Sequence, residues 1–213
     1  MSDAERPPLQ GDELWIDLLR HGEPVGGRRY RGAQDDPLSE AGWQQMHAAV
    51  LEPELLTGVV SSPLQRCRAF AEQFAATHRL PLHCEPGFRE IGFGDWEGLS
   101  PAELAIQDPE GQARFWTDPL RHTPPNAEPM VAFCDRVTSA WAALTERYRG
   151  EHLLIVGHGG LIRVLISHLL GLPLQGFNRL YVPYASLTRL RLEPGAEPTL
   201  YFHNRSAATR GER

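Results

Sequence analysis

Three short apolar runs in this 213-residue chain end in groups that could do chemistry. Residues 14–19 (LWIDLL) run into Arg20-His21-Gly22-Glu23. Residues 59–60 run into Ser61-Ser62-Pro63, with Arg66 one helical turn further on. Residues 153–156 (LLIV) run into Gly157-His158-Gly159-Gly160. Parallel sheets bind their ligands outside the carboxyl ends of their strands. If the three runs are strands of one such sheet, a single rim gathers Arg20, Arg66, His21, His158 and a free helix start. That set suits a tetrahedral dianion. Arginine offers a planar fork to phosphate oxygens, and unpaired amides at a helix start add partial positive charge. Gly22, Gly159 and Gly160 let backbone approach a ligand closely. Each group alone reads as a tight turn or a solvated arginine; their coincidence at three strand ends is what points to phosphate.

The elements that must position these groups alternate strand and helix. This predicts an α/β fold, a three-layer α/β/α sandwich on a mostly parallel central sheet. Ser39 reads as the N-cap of a helix through Trp43, Met46 and Val50. Ser62 reads as a cap, with Pro63 opening a helix to about His78. Residues 82–84 form a weak strand pattern. The glycine-rich FREIGFGDWEGLS follows, then short helical pieces as far as Trp116, and residues 118–129 form a proline-rich loop. Spacing predicts a helix over 130–148 and a buried helix over 161–170 closed by Gly171, with later strands near 187–192 and 199–202. The reading is one domain over 13–203, with a flexible leader at 1–12 and a flexible tail at 204–213.

Composition excludes several function classes. Apolar residues make up 41% and charged residues 23%, ordinary for a globular domain. The net charge of −6 speaks against a nucleic-acid partner. All 21 basic residues are arginine, so no lysine is present for a P-loop, a Schiff base or a pyridoxal phosphate anchor. Cys67, Cys84 and Cys134 are odd in number and widely spaced, which reads as reduced thiols rather than a disulfide or zinc set. No HExxH spacing, Asp/His cluster or GxSxG frame occurs. No apolar stretch is long enough to span a bilayer and no signal-like segment opens the chain. The expectation is a cytoplasmic protein, monomer or homodimer, with no cofactor, no metal, no membrane partner and a phosphorylated small molecule as substrate.

Four motifs, LLRHGE at 18–23, SSPLQRCR at 61–68, REIGFGDWEG at 89–98 and LLIVGHGGLIR at 153–163, resemble in type and order the histidine phosphatase superfamily, which includes the phosphoglycerate mutase-like enzymes. The resemblance implies that fold and a set of roles. His21 matches the nucleophile that takes the phosphoryl group on a ring nitrogen. Arg20, Arg66 and His158 match the residues that clamp its oxygens, with Gly22 and Gly159 beside them. Glu90 matches the carboxyl group that protonates the leaving oxygen, and Phe88, Ile91, Phe93 and Trp96 suggest an apolar setting that raises its pKa. Glu97 is the rival acid and Glu23 a more distant one. Glu23, Arg28, Arg29 and Arg31 are candidates for contact with the rest of the substrate.

Within the family, mutases carry an asparagine in the loop after RHGE, near the position of Gly27 in this chain, and a basic insertion that is absent after Glu90. This favours a phosphatase. The loops RHGEPVGGRRYRGAQDDPLSEAGW and GFGDWEGLSPAEL look closest to the alpha-ribazole phosphatase branch. PPNAEPMVAFCDRV at 124–137 is similar to that branch's PPGGES segment, with Glu128 at the motif glutamate but Asn126-Ala127 for two glycines and Pro129 after Glu128. A broad-specificity phosphatase, a mutase-type isomerase and a non-catalytic phosphate-binding module are the alternatives.

Overall fold

In the computed structural model, which describes residues 11–205, six strands form one sheet in the order β3-β2-β4-β1-β5-β6. Strands β1 (Leu14–Arg20), β2 (Gly58–Ser61), β3 (Leu82–Cys84) and β4 (His152–Gly157) are parallel. Strand β5 (Leu187–Leu192) is antiparallel to β1, and β6 (Thr199–Arg205) is antiparallel to β5. The helices are α1 (Glu40–Ala49), α2 (Gln65–His78), α3 (Pro101–Gln107), α4 (Pro109–Thr117), α5 (Met130–Arg147) and α6 (Gly159–Leu169).

Strands β1, β2 and β4 are buried almost throughout, as continuous apolar runs in a sheet covered on both faces should be. Period-two alternation divides β1 between two cores. Leu14, Ile16 and Leu18 pack in a cluster with Phe133, Val137 and Trp141 of α5 and Leu161 and Leu165 of α6. Leu19 packs on the other face with Met46 of α1 and Phe70 and Phe74 of α2. Each fully buried leucine or phenylalanine contributes about 1.5–3 kcal/mol, so the sheet is held from both sides.

The register sets the site. Arg20 lies opposite Gly157, Ser61 opposite Val156 and Leu19 opposite Leu187. The ends of β1, β2 and β4 therefore stand level, and the antiparallel β5 begins at the same edge. Cavities of about 260 and 170 Å³ open at the opposite end of the sheet, the first by Asp12, Glu146 and Glu193, the second by Thr57, His83 and Tyr148. No helix of the described residues is long and apolar enough to cross a membrane.

Some boundaries differ from the sequence pattern. Ser39 does cap α1, accepting the Gly42 N–H at 3.0 Å. Ser62 does not cap α2, which begins at Gln65 after Leu64. Asp35 instead accepts the Gln65 N–H at 2.6 Å, while the Ser62 hydroxyl accepts the Leu64 N–H at 3.3 Å, one residue before the helix, and lies 2.7 Å from His158 Nε2. Helix α6 begins at Gly159, two residues before the expected start. Asn204 and Arg205, expected in a tail, finish β6, and Gly11 and Asp12 form a turn. The rest of the expected leader and tail lies outside the described residues.

Candidate active site

His21 follows β1 directly and is buried. Its Nδ1 lies 2.8 Å from the Gly22 carbonyl oxygen. A carbonyl can only accept, so Nδ1 carries the proton and Nε2 keeps a free lone pair. Burial, and then the charges of Arg20 and Arg66, hold its pKa well below the ordinary 6.5. The ring is neutral at pH 7. Gly22 is required beside it, since a Cβ there would sit 2.1 Å from the Gly42 carbonyl oxygen of α1.

His158 precedes α6, its ring centroid 5.3 Å from that of His21. Its Nε2 is 2.7 Å from the Ser62 hydroxyl, and the Cys67 sulfur lies 3.6 Å from the same nitrogen. Burial, then Arg66 and His21, push its pKa down as well. Burial pushes the Cys67 thiol up, so it stands here as a neutral packing group.

Two guanidinium groups flank the imidazoles. Arg20 donates to the Val182 carbonyl at 2.6 Å, and burial lowers its pKa to about 10. Arg66 is fully buried and donates to the carbonyls of Gln34, Arg31 and Gly32 at 2.8–3.3 Å. Both Nε–H groups are buried with no hydrogen-bond partner, and neither arginine has a carboxylate within 4.0 Å among the described residues. An unpaired buried donor is costly, so these two await an acceptor. Arg163, one turn into α6, adds a third cation: it donates to the Leu180 carbonyl at 2.8 Å and likewise holds no carboxylate.

Glu90 reaches the start of α6, where its Oε2 accepts the Gly160 N–H at 2.9 Å while Oε1 accepts the Ile91 N–H at 3.1 Å. A side chain at Gly160 would displace it, for a Cβ would lie 2.2 Å from Oε1. Phe88, Ile91 and Trp96, the residues read from the sequence as the apolar setting of Glu90, are buried in the core, with Phe93 packed against them. The loop carrying Glu90 is held by Arg136, which donates to the carbonyls of Gly87, Arg89 and Glu90 and pairs with both oxygens of Glu128 at 2.7 and 2.8 Å. Glu97, the rival acid, spends its oxygens on the N–H groups of Ala33, Gln34 and Phe93.

The cationic loop after β1 divides. Arg31 is buried and committed to Asp36 and to the carbonyls of Gly27 and Val25. Arg29 holds the Gly98 carbonyl at 2.6 Å and Glu103 at 3.4 Å. These two build the loop rather than stand free, because local acceptors lie within reach. Arg28 is exposed with no partner among the described residues, and Glu23 is half-buried. No group of three or more His, Cys, Asp or Glu side chains among the described residues is placed to hold a metal ion.

Sequence reasoning missed Ser62 as a partner of His158, and it missed Arg136, Arg163, Val182 and Tyr184. Arg163 had a signal in its i+4 spacing from Gly159. Val182 and Tyr184 precede an antiparallel strand and had none.

Fold and site together define an α/β protein that sets a neutral histidine among unpaired guanidinium groups at the carboxyl edge of a parallel sheet. The chain belongs to the histidine phosphatase superfamily (branch 1), which it matches over residues 16–205. It is 35% identical over 176 residues to the bifunctional protein Rv2228c of Mycobacterium tuberculosis, covering 80% of this chain and 48% of that protein. The chain thus spans about half the length of the first curated relatives it matches. It is 34% identical over 187 residues to the adenosylcobalamin/alpha-ribazole phosphatase of Salmonella typhimurium, covering 85% of this chain and 86% of that one. Among solved structures, mycobacterial glucosyl-3-phosphoglycerate phosphatase Rv2419c superposes with a TM-score of 0.80 at 27% identity, over 91% of this chain and 100% of that one.

Proposed function

We propose that the chain is a phosphomonoesterase working through a phosphohistidine on His21. The observation that carries this reading is the His21 ring, protonated on Nδ1 toward Gly22 and bearing its Nε2 lone pair among guanidinium groups that hold no carboxylate. Nε2 attacks phosphorus, forming the N–P bond as the ester P–O bond breaks. Arg20, Arg66 and His158 hold the three non-bridging oxygens, doing the work that a metal ion does in other phosphoryl transfers. Glu90 gives its proton to the leaving oxygen and then takes one from the water that attacks phosphohistidine, which returns His21 and releases inorganic phosphate.

Alpha-ribazole 5'-phosphate is the substrate we infer, supported by the relatives named for it and by the loops that resemble that branch. A broader set of small phosphomonoesters is the second reading, favoured by the likeness to a glucosyl-3-phosphoglycerate phosphatase. Gly27 and the missing basic insertion speak against a mutase. A panel of phosphomonoesters with excess chelator tests the reading. Activity should survive, with alpha-ribazole 5'-phosphate leading ribose 5-phosphate and 3-phosphoglycerate. Glu90→Gln should slow alkyl esters by about 10²–10⁴ while sparing p-nitrophenyl phosphate, whose leaving group needs little protonation. Loss of activity to chelator, with rescue by magnesium, would overturn the mechanism.

A further inference from the structure

We propose that Tyr184 is a positioning residue of this site, whose ring sets the plane of the Arg20 guanidinium against His21 so that the donor edge of Arg20 stays free for the phosphoryl group. The inference rests on the phosphatase reading above. The Arg20 Cζ lies 4.3 Å over the Tyr184 ring centroid, and the same ring is 5.6 Å from the His21 imidazole. One tyrosine thus touches both the nucleophile and a clamp residue.

A buried guanidinium can be held in three ways, and they leave different donors open. A carboxylate neutralises the charge and occupies the fork, as Asp17 does for Arg189. Backbone carbonyls take individual N–H groups, as they do for Arg66. An aromatic face takes the cation without consuming any N–H. Arg20 combines one carbonyl, that of Val182, with the face of Tyr184, and its buried Nε–H remains unpartnered. Of the three ways, the aromatic face alone fixes the group while keeping both its charge and its donors for a ligand.

The backbone is shaped to deliver this ring. Ala185 sits in the left-handed region at φ +53°, where a non-glycine residue is held only by its surroundings. Two bonds from the end of β1 hold it: the Ala185 N–H donates to the His21 carbonyl at 3.2 Å and the Arg20 N–H to the Ser186 carbonyl at 3.0 Å. The segment entering β5 is thereby stitched to the catalytic end of β1, and the turn at Ala185 places Tyr184 against the rim.

A double-mutant cycle between Tyr184 and Arg20 tests the assignment, read by kcat/KM on p-nitrophenyl phosphate and by vanadate affinity, with a melting curve for each variant. In the wild-type background Tyr184→Leu should cost on the order of tenfold in both readouts, and Tyr184→Phe, which keeps the ring, about twofold or less. In an Arg20→Met background the same leucine change should cost less than about twofold, because the group it orients is gone. Should Tyr184→Leu fail to fold, Tyr184→Met takes its place in the cycle. Equal costs in the two backgrounds, or a phenylalanine variant as poor as leucine, overturn the proposal and make the residue mere packing or a hydroxyl donor. A wild-type protein that hydrolyses no phosphomonoester overturns the function reading itself, an outcome distinct from an active enzyme with an additive cycle.

Discussion

Strand β1 carries two buried charge clusters three residues apart, and they are built on opposite rules. At Asp17 the charges close on one another. Arg189 donates to both carboxylate oxygens of Asp17 at 2.7 and 2.9 Å and to Glu52 at 2.8 Å, and His152 lies 3.3 Å from the same Asp17 carboxylate. Burial works to raise the Asp17 pKa, yet the bonds from Arg189 and His152 prevail and lower it. At Arg20 and His21 the cations face neutral imidazoles, and two guanidinium Nε–H groups stay unpaired. A closed cluster serves the fold, because its charges are already answered. An open one is worth its desolvation cost only if a ligand completes it.

That contrast breaks cleanly under mutation. The largest effect is expected from His21→Asn, a loss of phosphatase activity of about 10³-fold or more with the melting temperature preserved. Acid-labile, base-stable phosphate should be trapped by rapid quenching on the wild type alone. Next comes the closed cluster. Arg189→Met leaves the buried Asp17 carboxylate with His152 but without either bond from Arg189, which should cost about 3–5 kcal/mol of stability by denaturant titration, while the variant that remains folded keeps its kcat. Arg20→Met should behave oppositely, losing about 10²-fold in kcat/KM with a melting temperature equal to the wild type or above it. If Arg20→Met destabilised as Arg189→Met does, Arg20 would be a structural residue and the contrast would fail.

The same two clusters show what could be read from sequence. The rim was legible because apolar runs of β1, β2 and β4 stop at residues whose chemistry is unusual there, and the parallel register then aligns them. Residues supplied by the segment entering β5 were not, since the carboxyl-end rule is silent about a strand that runs the other way and begins at the rim. Ser62 carried a local capping signal, but the helix starts at Gln65, so its hydroxyl takes the Leu64 N–H and the tertiary partner His158 instead. Arg29 and Arg31 were visible as charge, but the carbonyls and carboxylates that claim them emerge only once the loop folds. Glu90 showed aromatic neighbours in sequence, but the backbone N–H groups of Gly160 and Ile91 that hold its carboxylate emerge only once the loop folds. The Asp17 cluster was wholly unread, for the partners of its carboxylate lie far along the chain, Arg189 being 172 positions away.

The smallest expected effect, and the one that reads the open cluster most directly, is on the titration of His21. Burial, then Arg20, then Arg66 depress its pKa, so the folded protein favours the neutral ring. A histidine depressed in this way contributes stability that is present above the unfolded value of about 6.5 and is lost as the pH falls below it, where the unfolded chain binds protons that the native state refuses. His158 adds to the same trend with the same sign. The nucleophilic form of His21 should therefore persist through pH 6.5, and its ring resonances should titrate only well below that value, a measurement that the substrate's own phosphate, with a pKa near about 6, does not enter. Replacing Arg20 with methionine removes the largest of the charge contributions and leaves burial, Arg66 and Arg31. The midpoint should rise while staying below the ordinary histidine value. A wild-type midpoint at 6.5 or higher would mean that neither burial nor the guanidinium groups act on the ring, and the open cluster would lose its claim to prepare the nucleophile. A midpoint unmoved in Arg20→Met but shifted in Arg66→Met would assign the electrostatic work to the fully buried arginine and leave Arg20 with the phosphoryl oxygens alone.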